Sequence, residues 1–162
     1  MGNYTTIKIL KNKSILLITK QGVSPLKEKV ESLLTMSKAC KLLYVEDNQE
    51  ARESTTLFLK RFFDDITIAV DGQDGLEKFQ ENKDFELIIT DINMPRLNGL
   101  DMLSAIKKRD SEVLTIVLSA HNEQNFLERA NEIQVDQYIN KPINLSELVE
   151  VLSDTLNIKE IA

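Results

Sequence analysis

Acidic and basic residues follow three strand-like runs of this 162-residue chain. These are Glu46-Asp47 after Leu42–Val45, Asp91 after Leu87–Thr90, and Lys141-Pro142 after Val135–Ile139. If the runs are neighbouring parallel strands, their polar residues meet at the carboxyl edge of one sheet, where open α/β sheets bind ligands. Carboxylates that lie so close repel each other unless a cation joins them, and Mg²⁺ suits an all-oxygen cluster. One carboxylate can then act as a nucleophile, while the lysine balances the charge of an incoming anion.

Length and composition predict a small globular protein. A chain of 162 residues with 42% hydrophobic residues favours one domain with room for an appendage. No apolar stretch approaches the roughly 20 residues that span a bilayer, and no signal-peptide pattern opens the chain. We therefore expect a cytoplasmic protein without a membrane partner. Cys40 is the only cysteine, which excludes an internal disulfide and a cysteine-rich zinc site.

Charge is distributed unevenly along the chain. Residues 1–41 hold eight lysines and two glutamates, a balance of +6. Residues 42–162 hold 12 basic and 24 acidic residues, a balance of −12. An acidic globular part argues against direct DNA binding, because phosphate recognition depends on clustered positive charge.

From residue 41 onward, short β-like runs alternate with apolar residues at helical spacing. Strands are predicted at Leu42–Val45, Asp65–Val70, Glu86–Thr90, Val113–Leu118 and Val135–Ile139. Their separations suit βαβ units, and apolar residues between them recur every three or four positions. Helix starts are predicted at Asp71-Gly72, Asn98-Gly99 and Asn144. Five βα units in a row predict a doubly wound α/β sheet.

Residues 41–157 resemble the receiver domain of two-component response regulators, of the single-domain chemotaxis type. The resemblance rests on five fragments in the family's order: LLYVEDNQEARE, VDGQDGLEKF, LIITDINMPRLNGLDML, TIVLSA and YINKPIN. It implies a flavodoxin-like, five-stranded parallel sheet in the order 2-1-3-4-5. The implied division is an N-terminal extension at residues 1–38, a receiver domain at 39–157 and a tail at 158–162.

The resemblance also implies roles for individual residues. Asp91 matches the phosphoacceptor, and Asp47, Asp91 and the backbone carbonyl of Asn93 match the Mg²⁺ ligands, with Glu46 acting through water. Lys141 matches the lysine that pairs with phosphoryl oxygens. The remaining matches are Ser119 and Tyr138 as switch residues, and Asn93 and His121 as residues that tune dephosphorylation.

The implied function is a phosphorylation-dependent signalling switch rather than an enzyme acting on a separate substrate, although Mg²⁺-dependent self-phosphorylation and self-dephosphorylation are expected. The expected phosphodonor is a sensor histidine kinase or histidine phosphotransfer protein, and a homodimer is one possible assembly. The output would act on an unknown protein through the fourth helix, fifth strand and fifth helix of the receiver. One alternative is a pseudo-receiver that binds partners without phosphorylation. Another is an aspartyl-phosphate hydrolase, which Asn93 disfavours because that class has a second acid at this position.

The first 40 residues indicate a strand and a helix. Ser14–Thr19 is strand-like, and Leu26, Val30, Leu33 and Leu34 form an apolar face after Pro25. This face could dock on the receiver of the same chain or of a second protomer. The alternative is that this segment is disordered. Only residues 157–162 follow the last predicted helix, so we expect no attached output domain.

Overall fold

The computed structural model describes residues 6–9, 15–18, 25–82, 84–120 and 124–161. Its strands are β1 (Thr6–Ile9), β2 (Ile15–Ile18), β3 (Lys41–Val45), β4 (Asp65–Ala69), β5 (Leu87–Asp91), β6 (Leu114–Ser119) and β7 (Gln137–Asn140). Its helices are α1 (Pro25–Met36), α2 (Gln49–Leu59), α3 (Gly72–Glu81), α4 (Gly99–Lys107), α5 (Gln124–Ile133) and α6 (Leu145–Ile161).

Five parallel strands form the main sheet in the order β4-β3-β5-β6-β7. Numbered from β3, this is the predicted order 2-1-3-4-5, so the fold prediction is confirmed. Every residue of β5 and β6 is buried, as central parallel strands covered on both faces should be. The polar groups at their carboxyl ends therefore project from a rigid platform.

Alternation along the strands creates two apolar layers. Tyr44, Ile89 and Ile116 face the layer that α2 and α6 cover. Leu43 and Ile88 face the opposite layer, which α3, α4 and α5 cover. Successive side chains of a strand point to opposite faces, so each central strand contributes to both layers.

The predicted strand positions are right, but most of their ends differ by one or two residues. β5 includes Asp91 and β6 includes Ser119, each of which was predicted to follow its strand. The parallel pairing explains this, because Asp91 pairs with Leu118, and Ser119 pairs with Asn140. The predicted helix starts are confirmed, with Asp71 and Asn98 capping α3 and α4, and Asn144 accepting hydrogen bonds from the first turn of α6.

The N-terminal extension contains one strand more than predicted. β1 pairs with β2 in an antiparallel two-stranded sheet, and β1 falls on Thr6-Ile7-Lys8-Ile9, whose β-branched residues suit a strand. A single short run of this kind carries too weak a signal to be identified alone.

Helix α1 packs against α6. Val30 and Leu33 are buried in the same layer as Phe58 of α2, and Lys29 binds Asp154 of α6 at 2.8 Å. The hydroxyl of Ser37 donates to the carbonyl oxygen of Phe62 at 2.8 Å, which joins the end of α1 to the segment after α2.

The last helix is longer than predicted. α6 continues to Ile161, through residues predicted to be a tail that starts at 158. Residues 157–161 contain neither glycine nor proline, so no residue there breaks the helix. In the part of the chain that the structure describes, no helix is long and apolar enough to cross a membrane.

Candidate functional site

Three carboxylates lie together at the carboxyl edge of the sheet. Asp91 ends β5, and Glu46 and Asp47 follow β3, which is hydrogen-bonded to β5. One oxygen from each carboxylate lies within 4.8 Å of the other two. Glu46 and Asp91 are buried, whereas Asp47 is exposed. The cluster therefore opens to solvent on the Asp47 side.

Lys141, just after β7, bridges two of these carboxylates. Its Nζ lies 2.6 Å from Oδ1 of Asp91 and 2.9 Å from Oε2 of Glu46. Burial of the ammonium group lowers the pKa of Lys141, but its hydrogen bonds to Asp91 and Glu46 outweigh burial, so this pKa lies above its ordinary value. Lys141 is therefore held as a cation at the position where an anionic group would approach Asp91.

The loop that carries Glu46 and Asp47 is held in place by hydrogen bonds from α2, the helix that follows it. The guanidinium of Arg52 donates to the carbonyl oxygens of Glu46 and Asp47 at 2.8 and 3.0 Å. The backbone N–H of Asn48 donates to Oε1 of Glu46 at 3.3 Å, while the side chain of Asn48 caps α2. Arg52 was not among the predicted site residues. It lies one turn into a helix, and its spacing alone does not show that it reaches back to the loop.

Gly99 lies against the backbone of Asp91. A β-carbon on Gly99 would overlap the carbonyl oxygen of Asp91, and the N–H of Gly99 donates to the carbonyl of Ile92 at 2.9 Å. The hydroxyl of Thr90 also donates to the Asp91 carbonyl, at 2.8 Å. The Asn98-Gly99 motif, predicted as a turn, thus also sets how closely α4 approaches Asp91.

An ion pair braces the loop between β5 and α4. Nε of Arg96 donates to Oδ2 of Asp71 at 2.6 Å, and Arg96 has a positive φ of 65°. The buried Asp71 also caps α3 through the N–H of Asp74. Arg96 was not predicted to matter, because its partner lies 25 residues earlier in the chain.

The predicted switch residues lie on the neighbouring strands β6 and β7. Ser119 is buried, and its hydroxyl donates to Oδ1 of Asn140 at 3.2 Å. Tyr138 is 50% exposed, and its ring meets that of Phe126 edge-on at 6.5 Å between centroids. Asn140 is a contact that was not predicted, although it stands directly before Lys141.

Of the two residues predicted to tune dephosphorylation, the structure describes only Asn93. Asn93 lies in the loop two residues after Asp91 and is exposed. His121 lies outside the described residues.

The cluster fits a hard divalent cation. All three side chains offer carboxylate oxygens, and Lys141 supplies only one positive charge against them. Mg²⁺ prefers oxygen ligands and retains positions for water or phosphate. The donor set therefore suits the predicted Mg²⁺.

Comparisons with known proteins agree with this geometry. The model of the response regulator receiver domain family matches residues 42–153. A hybrid signal transduction histidine kinase I of Dictyostelium discoideum is 37% identical over 122 residues, which is 70% of this chain and 7% of that protein. The alkaline phosphatase synthesis transcriptional regulatory protein SphR of Synechococcus elongatus is 31% identical over 140 residues, which is 78% of this chain and 54% of SphR. The chain thus spans less than two thirds of both curated relatives.

A solved receiver domain has the same fold. The crystal structure of a response regulator receiver domain protein from Clostridium thermocellum matches with a TM-score of 0.70 and 26% identity, covering 75% of this chain and 98% of that one. The five-stranded order, the acidic cluster and the family match agree, and this chain belongs to the response regulator receiver domain family of two-component signalling.

Proposed function

We propose that Asp91 is the phosphoacceptor of this receiver and that its phosphorylation switches the affinity of the chain for a protein partner. The observation that carries this proposal is the contact of 2.6 Å between Asp91 and Lys141 inside the acidic cluster. A carboxylate that is fixed beside a cation and open to solvent through Asp47 can meet a phosphoryl donor. We assign this activity to residues 39–157 and treat residues 1–38 as an extension.

In the proposed step, an Oδ atom of Asp91 attacks the phosphorus of a phosphohistidine or a small acyl phosphate. A new O–P bond forms on Asp91, and the P–N bond of phosphohistidine or the P–O bond of the acyl phosphate breaks. The electron pair leaves with the imidazole, which takes a proton, or with the acyl carboxylate. Lys141 pairs with the phosphoryl oxygens and offsets their charge. The chemistry proposed for the chain itself is to accept and to lose this group.

Asp47, Asp91 and the backbone carbonyl of Asn93 would hold Mg²⁺. When bound, this ion would neutralise charge on the transferring phosphoryl group. Glu46 would act through water, because Lys141 contacts its Oε2 and Asn48 donates to its Oε1. This arrangement supports Asp47, rather than Glu46, as the direct ligand of the acidic pair.

Phosphorylation would be relayed through Ser119 and Tyr138. A phosphoryl group adds about −1.5 to −2 charge with strong acceptor oxygens, which can attract the Ser119 hydroxyl. Tyr138 lies on the neighbouring strand with half of its surface exposed, and can respond by changing rotamer. The output surface would comprise α5, β7 and α6. Asn93 and His121 would tune the lifetime of the phosphoryl group by admitting or ordering water.

The phosphodonor would be a sensor histidine kinase or a histidine phosphotransfer protein, a class supported by the hybrid histidine kinase among the relatives. A groove of about 500 Å³ opens between α2 and α6 beside Glu46 and Lys141. Its rim includes Leu57 and Leu145, which are 67% and 42% exposed. We propose that the donor docks here, because apolar side chains line a groove that also contains Glu46 and Lys141, and Lys141 contacts Asp91.

Intact mass measured after incubation with acetyl phosphate and Mg²⁺ tests the proposal. The wild-type chain should gain the mass of one phosphoryl group, and Asp91→Asn or removal of Mg²⁺ by a chelator should abolish the gain. Asp64→Asn is the matched control, because Asp64 is exposed before β4, at the opposite edge of the sheet. A wild-type mass that stays unchanged would favour the pseudo-receiver.

A further inference from the structure

The edge strand β7 places Asn140 between the groups of the proposed switch. Ile139 is buried in the core, so its neighbours Tyr138 and Asn140 lie on the other face of the strand. Asn140 also pairs with Ser119 in the register of β6 and β7, and it directly precedes Lys141. Asn140 thus contacts Ser119 through its side chain, shares a strand face with Tyr138 and precedes Lys141 in the chain.

The hydroxyl of Ser119 can donate only one hydrogen bond, because it carries one proton. In this structure it donates that proton to Oδ1 of Asn140 at 3.2 Å. A phosphoryl oxygen on Asp91 accepts hydrogen bonds but donates none when ionised. Binding of Ser119 to the phosphoryl group therefore requires that the bond to Asn140 break.

We propose that Asn140 is a positioning residue that holds the Ser119 hydroxyl in the unphosphorylated protein and sets how readily the switch moves. This inference rests on the proposed function of Asp91 and Ser119. Asn140 competes with the phosphoryl group for one proton, so it stabilises the resting arrangement and opposes the activated one.

The hydrogen bond between the side chains of Ser119 and Asn140 can open while the backbone pairing of β6 and β7 stays in place. The N–H of Lys141 donates to the carbonyl of Ser119 at 2.7 Å, so a backbone bond independent of the two side chains joins the ends of β6 and β7. Ser119 can therefore change its hydroxyl partner by rotation about χ1, without separation of the strands. The freed Asn140 then lies two residues from Tyr138, on the same face.

Affinity for beryllium fluoride, a phosphoryl mimic, tests this role in the full chain with Mg²⁺ present. Asn140→Leu removes the acceptor with little change in side-chain volume. Because a hydrogen bond contributes modestly to the resting state, we expect Asn140→Leu to bind the mimic about 2- to 10-fold more tightly. The binding midpoint is measured from the amide resonance of Tyr138, a residue that every variant retains.

Two further variants separate this role from a general effect on folding. In the Ser119→Ala background no proton is shared, so adding Asn140→Leu should leave the affinity for beryllium fluoride unchanged. Gln137→Leu is the matched control, because it removes an amide from the same strand at a position that pairs with Ile116 rather than with Ser119. This control should bind the mimic as the wild type does.

Intact mass after acetyl phosphate treatment separates failure of the inference from failure of the proposed function. If the wild type is phosphorylated but Asn140→Leu binds the mimic as the wild type does, Asn140 does not hold the switch. The same conclusion follows if the effect of Asn140→Leu persists in Ser119→Ala. If the wild type takes up neither phosphoryl group nor mimic, the proposed function fails and the inference with it.

Discussion

The ammonium group of Lys141 compensates two carboxylates that would otherwise be buried with little solvent. Glu46 is 1% exposed, and its Oε2 lies 2.9 Å from Nζ of Lys141. Removing one partner from a buried pair leaves the other charge without compensation, which costs more than the pair contributed. Lys141 therefore matters for the stability of the resting fold as well as for the proposed phosphoryl transfer.

We expect Lys141→Met to lower the free energy of unfolding by about 1–3 kcal/mol when Mg²⁺ is absent, because charged acceptors lose their donor. Mg²⁺ binding to the same carboxylates should recover part of this loss. Urea unfolding with chelator and with Mg²⁺ measures both effects, with the exposed Lys108→Met as control. Equal loss in the two variants would show that Lys141 does not compensate the cluster.

Asp74 gives the protein an acid-sensitive contact. Burial raises the pKa of Asp74, but hydrogen bonds from Lys78 at 2.8 Å and from the N–H of Val70 at 2.9 Å outweigh it, so this pKa lies below its ordinary value. A carboxylate with a lowered pKa in the folded state contributes stability above its unfolded pKa of about 3.9. That contribution is lost as the pH falls through the folded pKa.

Asp74→Asn should therefore reduce the free energy of unfolding by about 0.5–1 kcal/mol at neutral pH, as expected for a partly exposed ion pair. The difference from wild type should begin to shrink below about pH 4, where the carboxyl of the unfolded chain takes up a proton, and should be lost once the pH falls below the lowered pKa of the folded state. Urea unfolding across this range is the measurement. A difference that stays constant with pH would assign the effect to packing.

At the scale of single residues, the type and order of residues predicted the acidic cluster and Lys141, and the structure brings those side chains together. Arg52, Arg96 and Asn140 were missed. Each acts through a contact that depends on the path of the backbone, such as the positive φ of Arg96 or the pairing of Asn140 with Ser119. Such contacts have no fixed spacing in a sequence, so pattern reasoning has no means of finding them.

At the scale of elements, the start of α4 determines how close that helix lies to β5. Gly99 begins α4, where a β-carbon would meet the backbone of Asp91. Gly75 lies inside α3, where a β-carbon would lie 2.6 Å from Sδ of Met102, the flexible part of a side chain. The two glycines thus offer a matched comparison between a rigid obstacle and a movable one.

We expect Gly99→Ala to lower the free energy of unfolding by more than about 2 kcal/mol and to slow phosphorylation, because the backbone of Asp91 has to shift. Gly75→Ala should change stability by less than about 1 kcal/mol, since the helical preference of alanine offsets the crowding. Thermal unfolding and the rate of mass gain with acetyl phosphate measure the two effects. Similar behaviour of the two variants would contradict the close approach at Asp91.

Element type was easier to predict than element limits. Central strands are continuous apolar runs, and the Asp-Gly and Asn-Gly pairs mark helix starts, so the order of strands and helices followed from the sequence. Strand ends depend on pairing with neighbours, which is why β5 continues to Asp91. β2 lies within the predicted strand Ser14–Thr19, but β1 was missed because one short run carries little periodic signal.

At the scale of the whole molecule, α1 extends the apolar layer beneath α2 and α6. Leu33 is fully buried there, whereas the ion pair of Lys29 with Asp154 is partly exposed. Burial of apolar area contributes far more than a solvent-screened ion pair, so the leucine should dominate the attachment of α1.

We expect Leu33→Ala to lower the free energy of unfolding by about 2–4 kcal/mol and Lys29→Met by less than about 1 kcal/mol. Deleting residues 1–38 should expose the apolar surfaces of α2 and α6 and promote self-association, while Asp91 remains able to accept phosphoryl groups. Urea unfolding and light scattering after size exclusion measure these outcomes. Unchanged stability in Leu33→Ala together with a monomeric deletion variant would show that α1 is only loosely attached.

The contact between Lys29 and Asp154 joins residues 125 positions apart. During synthesis, α1 therefore leaves the ribosome long before α6, the surface on which it rests, has been made. Until α6 is synthesised, the apolar face of α1 stays exposed on that side and can bind chaperones or other nascent chains. A chain that stops before Leu145 would leave that face uncovered on the α6 side, so loss of α6 should first destabilise the packing of α1.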